Sequence, residues 1–530
     1  MPGVGPENAL DHVVVVMFEN RSFDNLLGRL YEPGEVPSFE GVLGKDLSNP
    51  IPSWAGDGRS GQPVPYGVAA GMNTPSPDPG EELHHINTQL FGILDEASRG
   101  QMEAAGTFNM PKDGQAPTMD GFVTDYASML LFEYGRLPTF AEYSQIMTGY
   151  TPEQLPVLSA IARGFATFDH WFCEVPSCTF PNRSFFHAGT SSGFVTNFPP
   201  VDKFPAKNTA ETLFDRLDAA GLSWRIYCDP PCHASLTAII HAARLRPKFA
   251  TNVFSTAQFF EDCAAGNLPA YSFIEPQIIG WAHNDMHPPF TYLFEAVAKS
   301  KGADPGAISF DPPSSLLGGE DLLARIYHAI RSSAANGSNH LNTTLLVTFD
   351  EHGGTYDHVP PPTAVPPGTN GSPAEMGFRF DRSGVRIPTL AISAWIPERT
   401  VVTGEYRATS LLATMRKRWN LGAPLTARDA SAPTFDGVFT LPSPRSQDQW
   451  PEVAARPVPP MPETVVPFDA PLGLLGKAVI GGVFSLAHEF GIEVPQITMQ
   501  TPVNGAEAIA ALTEVLGKMF PQLRDHAAEA

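Results

Sequence analysis

Cations are scarce in this chain of 530 residues: 34 Lys and Arg stand against 56 Asp and Glu, a formal net charge of −22. A protein that grips a nucleic-acid backbone needs a basic face, which so few cations do not supply, and no nucleic-acid partner is expected. Small anionic substrates stay open, because one bound metal ion overrides the local field. Cysteine is scarcer still, five residues, so no disulfide framework holds the fold and the odd number leaves at least one thiol free. Cys228 and Cys232, in YCDPPC, and the pair Cys173 and Cys178 are spaced closely enough to be bridged, which would mean an oxidising compartment. Small buried thiols are the more ordinary reading, and no four-ligand zinc spacing occurs. Long apolar runs are missing too. The most apolar stretch, Leu472 to Ala487, carries Lys477 and four glycines and is too short to span a bilayer; a buried helix is the plainer reading there, a surface-active one the alternative. The opening MPGVGPENALDHVVVV lacks a basic region followed by an apolar core and a cleavage site, so no secretory signal is visible. The expectation is a cytoplasmic protein as written, with an already trimmed, exported form as the alternative.

What is present is 42% hydrophobic and 10% aromatic residues, enough for a large core, with 46 Gly and 53 Pro that imply many ordered turns and long loops. His12 to Phe18 (HVVVVMF) reads as a strand buried on both faces of a parallel sheet. A helix is expected from Thr151-Pro152-Glu153 to Gly164, another over Thr209 to Ala220, and a strand over 222–228 (LSWRIYC). The order then repeats: helix Glu320 to Ala335, strand Thr343 to Phe349, strand Pro388 to Ile396, helix Arg407 to Trp419. Alternating strand and helix predicts an α/β fold with a mostly parallel sheet, whose ligands bind beyond the carboxyl ends of the strands. Residues 33–80 and 98–120 look like loops that cover a site. The expected organisation is a catalytic domain over 1–440, a Pro-rich linker over 441–471 and a helical C-terminal cap over 472–530.

The residues just after each strand are therefore the ones to inspect. Glu19 and Asn20 follow the first strand, in FENRSFDNLLG, and offer hard oxygen ligands for a divalent cation; the plain alternative is that Asn20, Ser22 and Asp24 cap a short helix. Asp350-Glu351-His352-Gly353-Gly354 follows TTLLVTF. Two adjacent carboxylates at a second strand end tolerate each other poorly without a cation, and the glycines let the backbone turn tightly. In PSCTFPNR, Thr179 is a hydroxyl in a proline-framed turn, which becomes a nucleophile only if a metal or base activates it. His283 and His287, in HNDMHPP, and His358, seven residues beyond Glu351, are the candidates for proton transfer; His84 and His85 are weaker ones.

Together FENRSFDNLLG, CTFPNR, HNDMHPP and TFDEHGGTYDHVPPP resemble the phosphoesterase family of bacterial and plant non-specific phospholipases C and related bacterial acid phosphatases, over about residues 10–425. The resemblance implies an alkaline-phosphatase-like fold, a mostly parallel central sheet with helices on both faces, here with a C-terminal helical extension. It implies that Glu19, Asn20, Asp350 and Glu351 hold one metal ion and that Thr179 is both the nucleophile and a ligand. His287 and His358 would hold phosphate oxygens and protonate the leaving group, and His352 belongs to the same motif. Asn182, Arg183, His283 and His85 are the candidate substrate-binding residues. In one respect the chain departs: where the family often carries histidine after Asp-Pro-Gly, Glu81 stands, and His85 is the candidate stand-in. A further lip, including KSKGADPGAISFDPP, is inserted after HNDMHPP.

The expected function is that of a metal-dependent phosphodiester hydrolase of phospholipase C type, releasing diacylglycerol through a phosphothreonine. All-oxygen ligands favour Ca²⁺, Mg²⁺ or Mn²⁺, with Zn²⁺ open. An acid phosphatase acting on monoesters is the alternative within enzymes. A metal- or phospholipid-binding protein without catalysis is the alternative outside them, although binding alone would not require Thr179. The expected partners are a phospholipid or small phosphate ester, with peripheral contact with a lipid surface open; the net negative charge opposes adsorption to anionic membranes.

Overall fold

His12–Phe18 (β1) is buried at every position after the first, so both faces of this strand need cover. The computed structural model describes residues 5–56, 58–102, 106–197, 203–229, 235–278, 283–289, 315–334, 336–368 and 374–458, with Val515 and Lys518. Within them β1 lies inside an eight-stranded sheet. The other strands are β2 (Ala166–Phe168), β3 (Trp224–Cys228), β4 (Val253–Ser255), β5 (Tyr271–Glu275), β6 (Thr343–Phe349), β7 (Thr389–Ile392) and β8 (Thr400–Val402). The spatial order is β8-β2-β7-β6-β1-β5-β3-β4. Only β7 runs against its neighbours, β6 and β2; every other pairing in the sheet is parallel. The fold is thus α/β with a mostly parallel sheet, as the alternation predicts.

Register decides where chemistry can gather. Phe18 is level with Phe349 and Val16 with Ile274, so the residues that leave β1, β5 and β6 emerge side by side at one edge. The helices that position the site are α1 (Phe23–Leu26), α2 (Leu83–Phe91), α3 (Phe122–Tyr134), α4 (Pro156–Gly164), α5 (Thr179–Ala188), α6 (Leu213–Ala219), α7 (Thr256–Ala265), α8 (Ser315–Ser332) and α9 (Thr409–Trp419). α4, α7 and α8 pack in one group, α5, α6 and α9 in another.

Three helices start well away from where the sequence pattern puts them, α6 at Leu213 rather than Thr209 among them. α4 begins at Pro156 rather than Thr151, because proline drives the residue before it out of the helical region: Leu155 has φ −122° and ψ 67°. α8 begins at Ser315, ahead of the expected Glu320, and carries Gly318 and Gly319 within it. A Cβ on Gly319 would lie 2.4 Å from Met286 Cγ and one on Gly318 3.1 Å from Asn284 Cβ. These glycines weaken the helical signal and let the loop that bears His283 and His287 lie against the helix.

Cys173, Cys178, Cys228 and Cys263 are free and buried, so Cys173 and Cys178 are not bridged; Cys232 lies outside the described residues. The stretch from Leu441 to Val458 lies on the core: Trp450 is buried with its ring 4.9 Å from that of Phe165, and Arg445 Nη1 donates to Gly164 O at 2.6 Å. The rest of the expected linker and the expected cap over 472–530, including Leu472 to Ala487, lie outside the described residues but for Val515 and Lys518.

Candidate active site

Three parallel strands end in acid at the same edge. Glu19 follows β1, Asp350 and Glu351 follow β6, and Glu275 closes β5. Glu19, Asn20, Asp350 and Glu351 are all at most 3% exposed. Asp350 Oδ1 accepts from the backbone N–H of Asn20 at 3.1 Å and of Glu351 at 2.8 Å, which ties the two strand ends together. Asn20 holds φ 58°, and behind it Gly353 (φ +58°) leaves no room for a side chain: a Cβ there would be 2.4 Å from Asn20 Cβ. The paired glycines are therefore required by close approach as well as by a left-handed backbone.

Thr179 is the first residue of α5, not a residue of an open turn. Pro181 is tolerated because N–H groups in the first helical turn have no partner within the helix. Thr179 is fully buried and its Oγ1 donates to Glu19 Oε2 at 3.3 Å. Asn182, expected to meet substrate, instead braces the loop before the helix: its Oδ1 accepts from Val175 N at 2.9 Å, and its Nδ2 donates to the carbonyls of Val175, Ser177 and Cys178. Arg183, also expected at the substrate, is committed to carboxylates. Its Nε donates to Glu19 Oε1 at 2.9 Å, with Nη2 on the same oxygen, and its Nη1 donates to Glu275 Oε1 at 3.2 Å. One turn of helix thus links the hydroxyl to the guanidinium that fixes its neighbour.

Even with Arg183 present, the site is over-supplied with negative charge. Burial pushes the Glu19 carboxyl well above its ordinary range, Arg183 pulls it back, and Asp350 and Asp285 push it further up. Burial also raises Asp350, against the pull of Arg183, and raises Glu351, which Asp350 drives higher. Asn20 Oδ1, Asp350 Oδ2 and Glu351 Oε1 are buried without a hydrogen-bond partner among the described residues. Native proteins rarely bury such atoms unsatisfied, and oxygens from carboxylates and an amide suit a hard divalent cation. The residues present fit such an ion.

The histidines divide. His287 is fully buried, its Nδ1 lies 2.7 Å from Pro288 O and its Nε2 2.9 Å from Asn20 Nδ2; burial lowers it to about 4, despite Asp285. His283 Nδ1 lies 2.9 Å from Asp285 Oδ1, the oxygen that also accepts from His287 N. His352 stands behind Glu351, with Nε2 2.8 Å from Gln89 Oε1, and burial lowers it to about 3. Gln89 in turn donates to Asp125, which holds His85 Nδ1 at 2.7 Å. His85, its Nε2 3.2 Å from Met102 O, is a support of this network and makes no described contact with the strand-end carboxylates. His358 lies in a separate ionic cluster. Its backbone N–H donates to Asp24 Oδ2 at 2.8 Å, its Nδ1 is 2.6 Å from the same oxygen, and its Nε2 is 2.9 Å from Glu40 Oε1. Arg386 closes that cluster on Asp24 and Asp357. No hydrogen bond or ion pair among the described residues joins His358 to Thr179, Asp350 or Glu351.

In place of His85 and His358 the structure brings in Asp78, Glu81 and Asp285. Glu81 Oε2 accepts from Asn20 Nδ2, so the residue that replaces the expected histidine after Asp-Pro-Gly does reach the pocket. Glu275 carries the same signal as Glu19 and Asp350, an acid closing an apolar run (YSFIE), and could have been found by that rule.

Residues 10–301 and 305–422 match the profile of a family described as the phosphoesterase family. Non-specific phospholipase C6 of Arabidopsis thaliana is 32% identical over 541 residues, covering 98% of this chain and 86% of that protein. Phospholipase C B of Mycobacterium tuberculosis (strain ATCC 25618 / H37Rv) is 26% identical over 536 residues, covering 93% of this chain and 88% of that protein. Among solved structures, a protein in the alkaline phosphatase superfamily from Vibrio parahaemolyticus aligns with a TM-score of 0.32 and 14% identity, over 53% of this chain and 65% of that one.

Proposed function

The chain belongs to the phosphoesterase family, and on that premise we propose that it is a metal-dependent phosphodiester hydrolase of phospholipase C type, with Thr179 as the group that takes the phosphoryl. The observation that carries the reading is the Thr179 hydroxyl, at the N-terminus of α5, 3.3 Å from Glu19 within a buried set of strand-end oxygens. The relatives named phospholipase C support the diester over the monoester.

A divalent cation held by Glu19, Asn20, Asp350 and Glu351, with Thr179 at the same point, would supply Lewis acidity and favour the ionised hydroxyl. The chain's own residues do the rest. Arg183 holds Glu19 in place and offsets its charge, while the N-terminus of α5 presents its positive end to the incoming phosphate. In the first step Thr179 Oγ1 bonds to phosphorus as the bond to the diacylglycerol oxygen breaks, and an imidazole of the 283–287 loop gives that oxygen a proton. In the second, water attacks phosphorus, Thr179 leaves and recovers a proton, and the phosphorylated head group departs. Asp285 orients this loop through its bonds to His283 and His287 N.

The test compares hydrolysis of p-nitrophenylphosphorylcholine and p-nitrophenyl phosphate, with and without EDTA, by the wild type and Thr179→Ala. Diester turnover that falls at least ~10³-fold on the mutation, with Tm unchanged, is the expected result. Unchanged turnover in Thr179→Ala would sink the assignment, and monoester turnover alone would move the protein to the acid phosphatases.

A further inference from the structure

Two clusters of carboxylate and imidazole in this molecule bring ligand atoms within 4.8 Å of one another: Asp24, Asp357 and His358, and Asp78, Glu81 and His287. The first already holds its counter-charge. Arg386 Nη2 lies 2.8 Å from Asp24 Oδ1 and its Nε 2.9 Å from Asp357 Oδ1, and Lys45 Nζ is 2.6 Å from His358 Nε2. In the second, Asp78 feels only the longer-range pull of the Arg21 guanidinium, outweighed by burial and by the push of Glu81 and Glu351. Among the described residues, no Lys or Arg forms an ion pair with Asp78 or Glu81; the nearest titratable donor to Asp78 is His287 Nδ1, at 3.9 Å. Glu81 is 7% exposed and His287 not at all, so solvent does little to screen that carboxylate, while the Asp78 side chain is 21% exposed.

Three independent details turn this cluster toward a ligand. Pro288 O, 2.7 Å from His287 Nδ1, selects the tautomer with its proton there and leaves Nε2 a lone pair directed inward, the form of a metal-binding histidine. Asn20 is fully buried, and its Nδ2 is seated on both Glu81 Oε2 and His287 Nε2 while its Oδ1 has no hydrogen-bond partner. Asp78 Oδ1 is likewise buried and without a hydrogen-bond partner.

We propose that Asp78, Glu81 and His287 form a second divalent-cation site beside the one at Glu19, Asn20, Asp350 and Glu351. Its mixed oxygen and nitrogen donors suit Mn²⁺ or Zn²⁺ better than Ca²⁺. The two sites share a wall, since Asn20 bonds to Asp350 through its backbone N–H and to Glu81 through its side chain. The ligand set stands on its own residues, while the role of this ion rests on the reading of the first site: it places positive charge where the chain has put a carboxylate in the path of an anionic phosphate. With Nε2 so engaged, His287 is no proton donor, and His283, paired with Asp285, is the imidazole left to protonate the leaving oxygen.

The experiment titrates the metal-stripped full-length protein with Mn²⁺, counting bound ions by elemental analysis after dialysis and reading the paramagnetic resonance spectrum. Variants are Glu81→Gln, Asp78→Asn and Asp350→Asn, each first shown to melt cooperatively. The wild type is expected to take up two ions with a broadened, coupled spectrum. Glu81→Gln and Asp78→Asn should each retain one ion with an uncoupled six-line spectrum, and weaken the second at least ~10-fold. Either variant suffices if the other does not fold. One ion in the wild type, kept by Glu81→Gln and lost by Asp350→Asn, overturns the second site and leaves the first standing. One ion lost by Glu81→Gln and kept by Asp350→Asn supports the site proposed here and overturns the first. Two ions in every variant, or none in the wild type, overturns it.

Discussion

Arg183 is the residue on which the buried acids depend. Its guanidinium faces Glu19, Glu275 and Asp350, with none of these side chains reaching solvent. Removing one partner of a buried, hydrogen-bonded charge set costs far more than an exposed ion pair is worth, because the other charges stay buried. Arg183→Leu should therefore lose about 3–5 kcal/mol in urea unfolding. Arg183→Lys should fall between, since a lone ammonium cannot span Glu19 and Glu275 as the planar fork does. This residue was legible in the sequence only as part of PSCTFPNR, and its expected place at the substrate is not where its donors go. Adjacent carboxylates and a strand end are local signals, so Glu19, Asn20, Asp350 and Glu351 could be read together. What a side chain bonds across 164 residues of sequence, as Arg183 does with Glu19, leaves no periodic trace. The partners of His358 were hidden for the same reason: Asp24 and Glu40 hold it, and nothing in TYDHVPPP announces them.

At the scale of the element, α8 docks on α4 through one acid. Glu320 is fully buried and its two oxygens accept from Val157 N at 2.9 Å and Leu158 N at 2.7 Å, the first free donors of α4. Burial pushes this carboxyl up from 4.5 to about 7, although both backbone donors and Arg456 pull it down. The folded protein thus holds this proton more tightly than the unfolded chain. The stabilisation is complete below the ordinary carboxyl range and is lost as pH rises through about 7. Between pH 5 and 8 the wild type should lose roughly 2–3 kcal/mol relative to Glu320→Gln, which does not titrate; paired urea melts at both pH values check it. Strands β1 and β6 were legible to the residue because a doubly buried strand is an unbroken β-branched run. Short strands such as β2 and β4, three residues each, carry no period to detect, and α8 hid its start behind glycines that serve a neighbouring loop.

For the whole molecule, the acid-rich edge predicts that stability is coupled to cation binding. Carboxylates forced together without an ion weaken the fold, and any ion bound only by the native state stabilises it by mass action, about 2.7 kcal/mol at a hundredfold excess over Kd. EDTA should lower the Tm by a few degrees at pH 7.5, Mn²⁺ should restore it, and the gap should shrink at pH 5.5, where protons compete for the same oxygens. Equal melting with and without EDTA at pH 7.5 would contradict this. The α/β class and the sheet's mostly parallel sense were legible from alternation alone. The docking of Leu441 to Val458 was not, because proline density reads as a spacer whether or not a buried Trp450 pins it down.

The position of β1 also sets the order in which the protein can be made. β1 pairs only with β5 and β6, whose residues leave the ribosome some 260 and 330 positions after it. At about 5–20 residues per second, HVVVVMF waits roughly 15–60 s for its partners, an uncovered β-prone segment all that while. Nascent chains of this protein therefore call for a shielding chaperone, and refolding from denaturant should lose yield steeply as concentration rises.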